Sequence, residues 1–184
     1  MVILCNYWAG KATPESRMKN RVLKPEPLTA EAFKPFGDVL ETATAQELRH
    51  INYGNTERYH SIASLDLLQG SGTPLVSIFR SKPLPRPIAL KVMERHPLSS
   101  QAFYPLDNHP YMVVVAPAGD FDASKMRAFV AGPRQGVNYA RGTWHHYSLA
   151  LDKICDFMVI DRGGPEKNLD EVYFEGDDIM SIDY

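Results

Sequence analysis

Two short stretches carry side chains that could do chemistry together. "ERHPLSSQ", residues 94–101, holds Glu94, His96 and Gln101, and "RGTWHH", residues 141–146, ends in His145 and His146. Carboxylate and imidazole are the usual partners for moving protons near neutral pH. Glu94, His96 and His145, with Gln101, also have the donor atoms to hold a divalent metal ion. A site built on general base and arginine alone would need no metal, and the sequence leaves both routes open.

These groups act together only if secondary structure aims them at one place. In a β-strand, neighbouring side chains point to opposite faces. Over residues 143–151 the odd positions are His145, Tyr147, Leu149 and Leu151, the more apolar set. That face is expected to be the inner one, which turns His145 inward and leaves His146 and Trp144 on the outer face. Over 88–96 the even positions Ile88, Leu90 and Val92 lead into Glu94 and His96. The same logic turns Glu94 and His96 inward. Buried ionisable groups are costly unless paired, hydrogen-bonded or metal-bound.

Fourteen prolines and twelve glycines interrupt the 184 residues at short intervals, with runs rich in β-branched and aromatic residues between them. This reads as an all-β chain forming one domain. Strands are expected at 38–42, 58–68, 74–80, 88–96, 101–106, 111–117, 126–131, 143–151 and 154–161. One short helix is expected in "LTAEAFKPFG", with Thr29 as N-cap and Pro35 and Gly37 ending it. The acidic tail, 165–184, is expected to wrap the surface with a short helix around 168–172.

A net charge of −2 gives no basic footprint for nucleic acid or acidic lipid. No apolar run approaches the roughly 20 residues that span a bilayer. Residues 1–21, an N-terminal extension, lack a basic region ahead of their apolar residues, which argues against a secretory signal. Cys5 and Cys155 form no metal-ligand spacing, and Cys155 sits in an apolar run. A reducing, cytoplasmic compartment is expected.

The layout resembles cupins. Their first motif is His-x-His, three or four residues, then Glu; here Glu94, His96 and Gln101 take those positions, two of them departures. Gly142 and His145 match the second motif. The string "FGDVLE", "HINYGNTERYH", "MERHPLSSQAFYPL", "RAFVAGPRQGVNYARGTWHH" and "DFMVIDRGG" is similar to the ureidoglycolate lyase family over about residues 22–165. The resemblance implies a cupin-type double-stranded β-helix (jelly-roll barrel), a homodimer, and cleavage of ureidoglycolate to glyoxylate and urea in allantoin catabolism. Trp144 on an outer face would suit a subunit contact.

That reaction needs a cation for the substrate carboxylate, a base for its hydroxyl, and help for the leaving urea. Arginine matches a carboxylate with a planar fork. Arg80 is the first candidate, then Arg58 and Arg141, with Arg162 equally suited to a structural salt bridge. Tyr139 and Gln101 would complete the substrate site, Tyr139 and Asn138 at its mouth or merely in a turn. His145 or Glu94 would take the hydroxyl proton, with His96 beside them. His60 and His146 are expected at the surface or behind the site. Two other readings remain: a hydrolase releasing ammonia and carbon dioxide, and a non-enzymatic cupin that binds a small carboxylate.

Overall fold

The computed structural model describes residues 22–184; the N-terminal extension and Cys5 lie outside them. In chain order the elements are β1 (Val22–Leu23), β2 (Glu26–Pro27), α1 (Ala30–Phe33), β3 (Gly37–Leu40), β4 (Glu47–Ile51), β5 (Thr56–His60), β6 (Thr73–Ser81), β7 (Ile88–Leu90), β8 (Val92–Arg95), β9 (Gln101–Pro105), β10 (Tyr111–Ala116), β11 (Arg127–Ala131), β12 (Gly136–Tyr139), β13 (Trp144–His145), β14 (Leu149–Ala150), β15 (Cys155–Gly163), β16 (Asp170–Tyr173) and β17 (Met180–Ile182), with short 3-10 turns between some of them. The protein is almost all β, in keeping with a cupin-like fold. Among the described residues the strands form separate sheets and not one closed barrel.

Three layers result. A five-stranded sheet, β3-β12-β9-β15-β6, faces a seven-stranded one, β16-β8-β13-β10-β11-β2 with β14 also on β10. Phe33, Phe103, Tyr111, Val113, Val115, Phe129, Val137, Phe157 and Val159 pack into one core. A three-stranded sheet, β1-β17-β7, supplies Ile88, Leu90, Met180 and Ile182 to a second core, which also holds Met112, Val114, Trp144 and Leu149. Strand β10 divides its side chains between the two cores and is buried throughout, so it reads as one unbroken apolar run.

Thr29 caps α1 as expected, its hydroxyl accepting from the Ala32 N–H at 3.2 Å. Gly37, at φ +145°, lets β3 close onto β12: a Cβ there would stand 1.9 Å from the Asn138 carbonyl oxygen.

Four expectations need correction. The strand expected over 58–68 ends at His60. The tail forms strands β16 and β17 rather than a helix around 168–172. The span 88–96 is two strands in different sheets, broken at Lys91. The span 143–151 is also two strands: His145 lies opposite Val115, but Leu149 lies opposite Met112. Four steps on one strand therefore match three on β10, which defines a β-bulge at 146–148. The bulge reverses the facing of everything beyond it. Leu149 and Leu151 join Trp144 in the second core, and Ala150 joins the first.

Candidate active site

His145 and Glu94 are direct partners across the antiparallel pair β13–β8, so both face the same side of the sheet. The His145 Nε2 lies 3.5 Å from Glu94 Oε1 and 3.2 Å from Gln101 Oε1. Its Nδ1 lies 3.0 Å from the Thr143 carbonyl oxygen, and its ring stacks on Tyr139 at 4.2 Å and 9°. His96 follows the end of β8. Its Nδ1 lies 2.7 Å from the Asn168 carbonyl oxygen, and the two imidazole centroids are 5.2 Å apart. A carbonyl can only accept, so Nδ1 carries the hydrogen on both rings. Each ring then turns its Nε2 to the site. The His96 Nε2 is buried and has no hydrogen-bond partner among the described residues.

One ligand atom each from Glu94, His96 and His145 lies within 4.8 Å of the others. With Gln101 Oε1 beside His145, four electron-rich atoms converge. Such a cluster needs positive charge among its atoms, either a proton on an imidazole Nε2 or a metal ion. Imidazole nitrogens fixed from behind by carbonyls are the usual support of a metal ligand. Two imidazoles with a carboxylate suit a divalent first-row metal. The residues present therefore fit a metal centre.

Burial pulls the Glu94 carboxyl upward, but the His145 hydrogen bond and the neighbouring histidines outweigh this and hold it below the ordinary value. Burial, with His145 nearby, lowers His96. Burial also raises the Tyr139 phenol well above its usual range.

Several expected residues do not join the site. Arg80 is exposed on β6 and makes a bidentate pair with Asp156, at 2.8 and 2.7 Å. Asp156 and Asp161 are five residues apart on β15, roughly 17 Å of strand, and Arg80 pairs at the end remote from the site. Arg58 sits opposite Arg49 on the exposed hairpin β4–β5. Arg141 is 3.5 Å from Asp66 and lines a cleft of about 450 Å³ with Asn138 and Lys34. Asn138 points away from Tyr139 by strand alternation, so that cleft is on the other face of the sheet. Arg162 is structural, its buried side chain donating to the Gln69 carbonyl and pairing with Glu166. His146 is not a surface group: it is 1% exposed, and burial lowers it to about 4. Trp144 is buried too. Its indole N–H donates to the Gly119 carbonyl, and Arg95 covers its ring, so it is not available as a subunit contact.

Two residues of the site were not foreseen. Asp161 Oδ2 lies 3.5 Å from Gln101 Nε2. It continues the inward series Phe157, Val159, Asp161, an alternation that was readable in the sequence. Asn168 fixes His96 through its carbonyl, while its side chain accepts from the Leu98 N–H and donates to Ser99. Nothing in the sequence marks a tail carbonyl.

A sequence model of the family described as ureidoglycolate lyase matches residues 20–181, so the tail lies within the family and not outside it. The ureidoglycolate lyase of Burkholderia mallei (strain NCTC 10229) is 54% identical over 151 residues, 82% of this chain and 88% of that one. That of Burkholderia cepacia is 52% identical over 84% and 87%. That of Pseudomonas aeruginosa (strain LESB58) is 48% identical over 89% and 96%. The chain belongs to the ureidoglycolate lyase family.

Proposed function

We propose that this protein cleaves ureidoglycolate to glyoxylate and urea, as a carbon–nitrogen lyase of allantoin breakdown. The observation that carries the reading is the convergence of Glu94, His96, His145 and Gln101 in a chain of this family. The substrate is a carbinolamine. Removing its hydroxyl proton lets the oxygen electrons form the aldehyde, and the C–N bond breaks. The departing nitrogen takes up a proton, and urea leaves neutral. The sum requires proton transfers and a held anion, with no protein nucleophile.

Glu94 is the group best suited to the proton. It is held ionised near neutral pH, and its Oε1 faces His145, while its other oxygen has no hydrogen-bond partner among the described residues. The same carboxyl can return the proton to the leaving nitrogen. Gln101 and Tyr139 hold His145 from its edge and its face. Arg80, Arg141 and Arg162 are engaged elsewhere, which supports a metal cation, rather than those arginines, as the counter-charge for the substrate carboxylate. His96, His145 and Glu94 would hold that ion, which when bound would supply positive charge to the substrate oxygens.

The reading includes a homodimer and a reducing, cytoplasmic setting. Val76 and Ile78, 70% and 58% exposed on the edge strand β6, support a second copy seated there. The buried free thiol of Cys155 suits a reducing compartment. No helix of the described residues is long and apolar enough to cross a membrane.

The test is to incubate the protein with ureidoglycolate and measure urea, glyoxylate and ammonia separately. Equal amounts of urea and glyoxylate are expected. Ammonia released in step with glyoxylate, without urea, would establish the hydrolase instead. Binding without turnover would leave a carboxylate-binding cupin.

A further inference from the structure

We infer that Asp161 binds the ureido end of the substrate, an assignment that rests on the lyase reading. Asp161 lies on β15 on the face that carries Phe157 and Val159 into the first core. Its Oδ1 is buried and has no hydrogen-bond partner among the described residues. Among the described residues its Oδ2 has only the long 3.5 Å contact from Gln101 Nε2. The next residue, Arg162, points to the other face and is committed to Gln69 and Glu166. A carboxylate oxygen removed from water without a donor is costly. It persists where a ligand supplies the donor.

Gln101 gives the site a direction. Its Oε1 faces His145 and its Nε2 faces Asp161. On one side of Gln101 lies the cation-seeking cluster of Glu94, His96 and His145, and on the other lies a carboxylate that seeks N–H donors. Ureidoglycolate has matching polarity. Its carboxylate and hydroxyl oxygens belong at the cationic end, and Asp161 repels them. Its ureido group presents N–H on two nitrogens, which fit the two oxygens of one carboxylate as a paired, charge-assisted contact. Held this way, the C–N bond to be broken lies between Asp161 and Glu94. Asp161 binds and orients; it exchanges no proton.

The test uses N-carbamoylglycine, a ureido acid that lacks the hydroxyl and cannot undergo the elimination. Its analogue dimethylated on the terminal nitrogen and glycolate serve as controls. Calorimetric titration of the full chain should show roughly 10- to 100-fold weaker binding of the dimethylated analogue. Asp161→Asn should weaken N-carbamoylglycine by a similar factor, shrink the gap between the two ureido acids, and leave glycolate within about twofold. Equal affinity of the wild-type protein for both ureido acids would overturn the assignment, whether or not the variant folds. So would a variant in which glycolate weakens as much as N-carbamoylglycine. Turnover of ureidoglycolate is scored separately. If urea is not produced while the discrimination holds, the lyase reading fails and the ureido site stands.

Discussion

His145 and Glu94 stand directly opposite each other on neighbouring antiparallel strands, with Nε2 and Oε1 3.5 Å apart. Sheet register, not a loop, sets this spacing. A carboxylate placed by register keeps its position when its charge is removed. Glu94→Gln is therefore expected to fold with an unchanged circular dichroism spectrum and to lose about 10²- to 10⁴-fold in kcat. Steady-state kinetics on the folded variant check this. A kcat within twofold of wild type would remove Glu94 from the chemistry.

The inward placement of Glu94 and His145 was legible, but two irregularities that cancelled out helped. The apolar residues that argued for an inner face, Ile88 and Leu90 before Glu94, and Leu149 and Leu151 after His145, all belong to the second core. The break at Lys91 and the bulge after His145 each reverse the alternation, so both ionisable groups end on the opposite side from their apolar neighbours. Period-2 reasoning has no signal for a bulge. It also assumes that an outer face is wet. The third layer, built partly from the tail, dries that face and buries Trp144. Arg80 fits the required chemistry by type, but its position along β6 puts it with Asp156, and register between distant strands cannot be read from one chain.

The two fixed imidazoles make a metal requirement directly testable. Dialysis against a strong chelator is expected to lower activity, and a divalent first-row ion should restore it. His96→Ala should weaken ion binding at least tenfold, measured by titration of the ion itself, because it removes one of the three candidate ligands. Metal-free protein, confirmed by elemental analysis, that keeps its full kcat would rule out an ion at this centre.

The tail is expected to be indispensable to both fold and site. Strand β17 covers the second core with Met180 and Ile182, and Asn168 anchors His96 and the loop after it. Removing Asn168's side chain leaves the Leu98 N–H unpaired, at a cost of roughly 1–3 kcal/mol. Asn168→Ala should lower the Tm and reduce kcat/KM. A chain ending at residue 165 should fail to give a cooperative melt. A truncated chain with wild-type Tm would contradict the layered architecture.

If a second copy covers β6, a charge on its exposed apolar side chains should separate the subunits. Ile78→Asp and Val76→Asp sit on the solvent side of an edge strand and should barely disturb the monomer. Light scattering should give a dimer mass for the wild-type protein and a monomer mass for the double variant at micromolar concentration. A wild-type monomer would dismiss this surface as an interface.

Glu166 provides a pH-dependent lock on the loop around residues 69–72. Its carboxylate pairs with Arg162 at 2.6 Å and accepts from the Ser71 N–H at 2.8 Å. The Arg162 hydrogen bond, then that N–H, hold its pKa down at about 2. The folded-state value lies below the unfolded one, so the unfolded chain binds the proton first as pH falls. The contribution is fully present above the unfolded value of about 4.3. It is lost as pH drops through that range toward about 2. Glu166→Gln keeps the side-chain size and removes the titration. Its Tm should lie below wild type at pH 6, and the difference should shrink steadily between pH 4.5 and 2. A constant difference across that window would mean that Glu166 acts through its shape and not its charge.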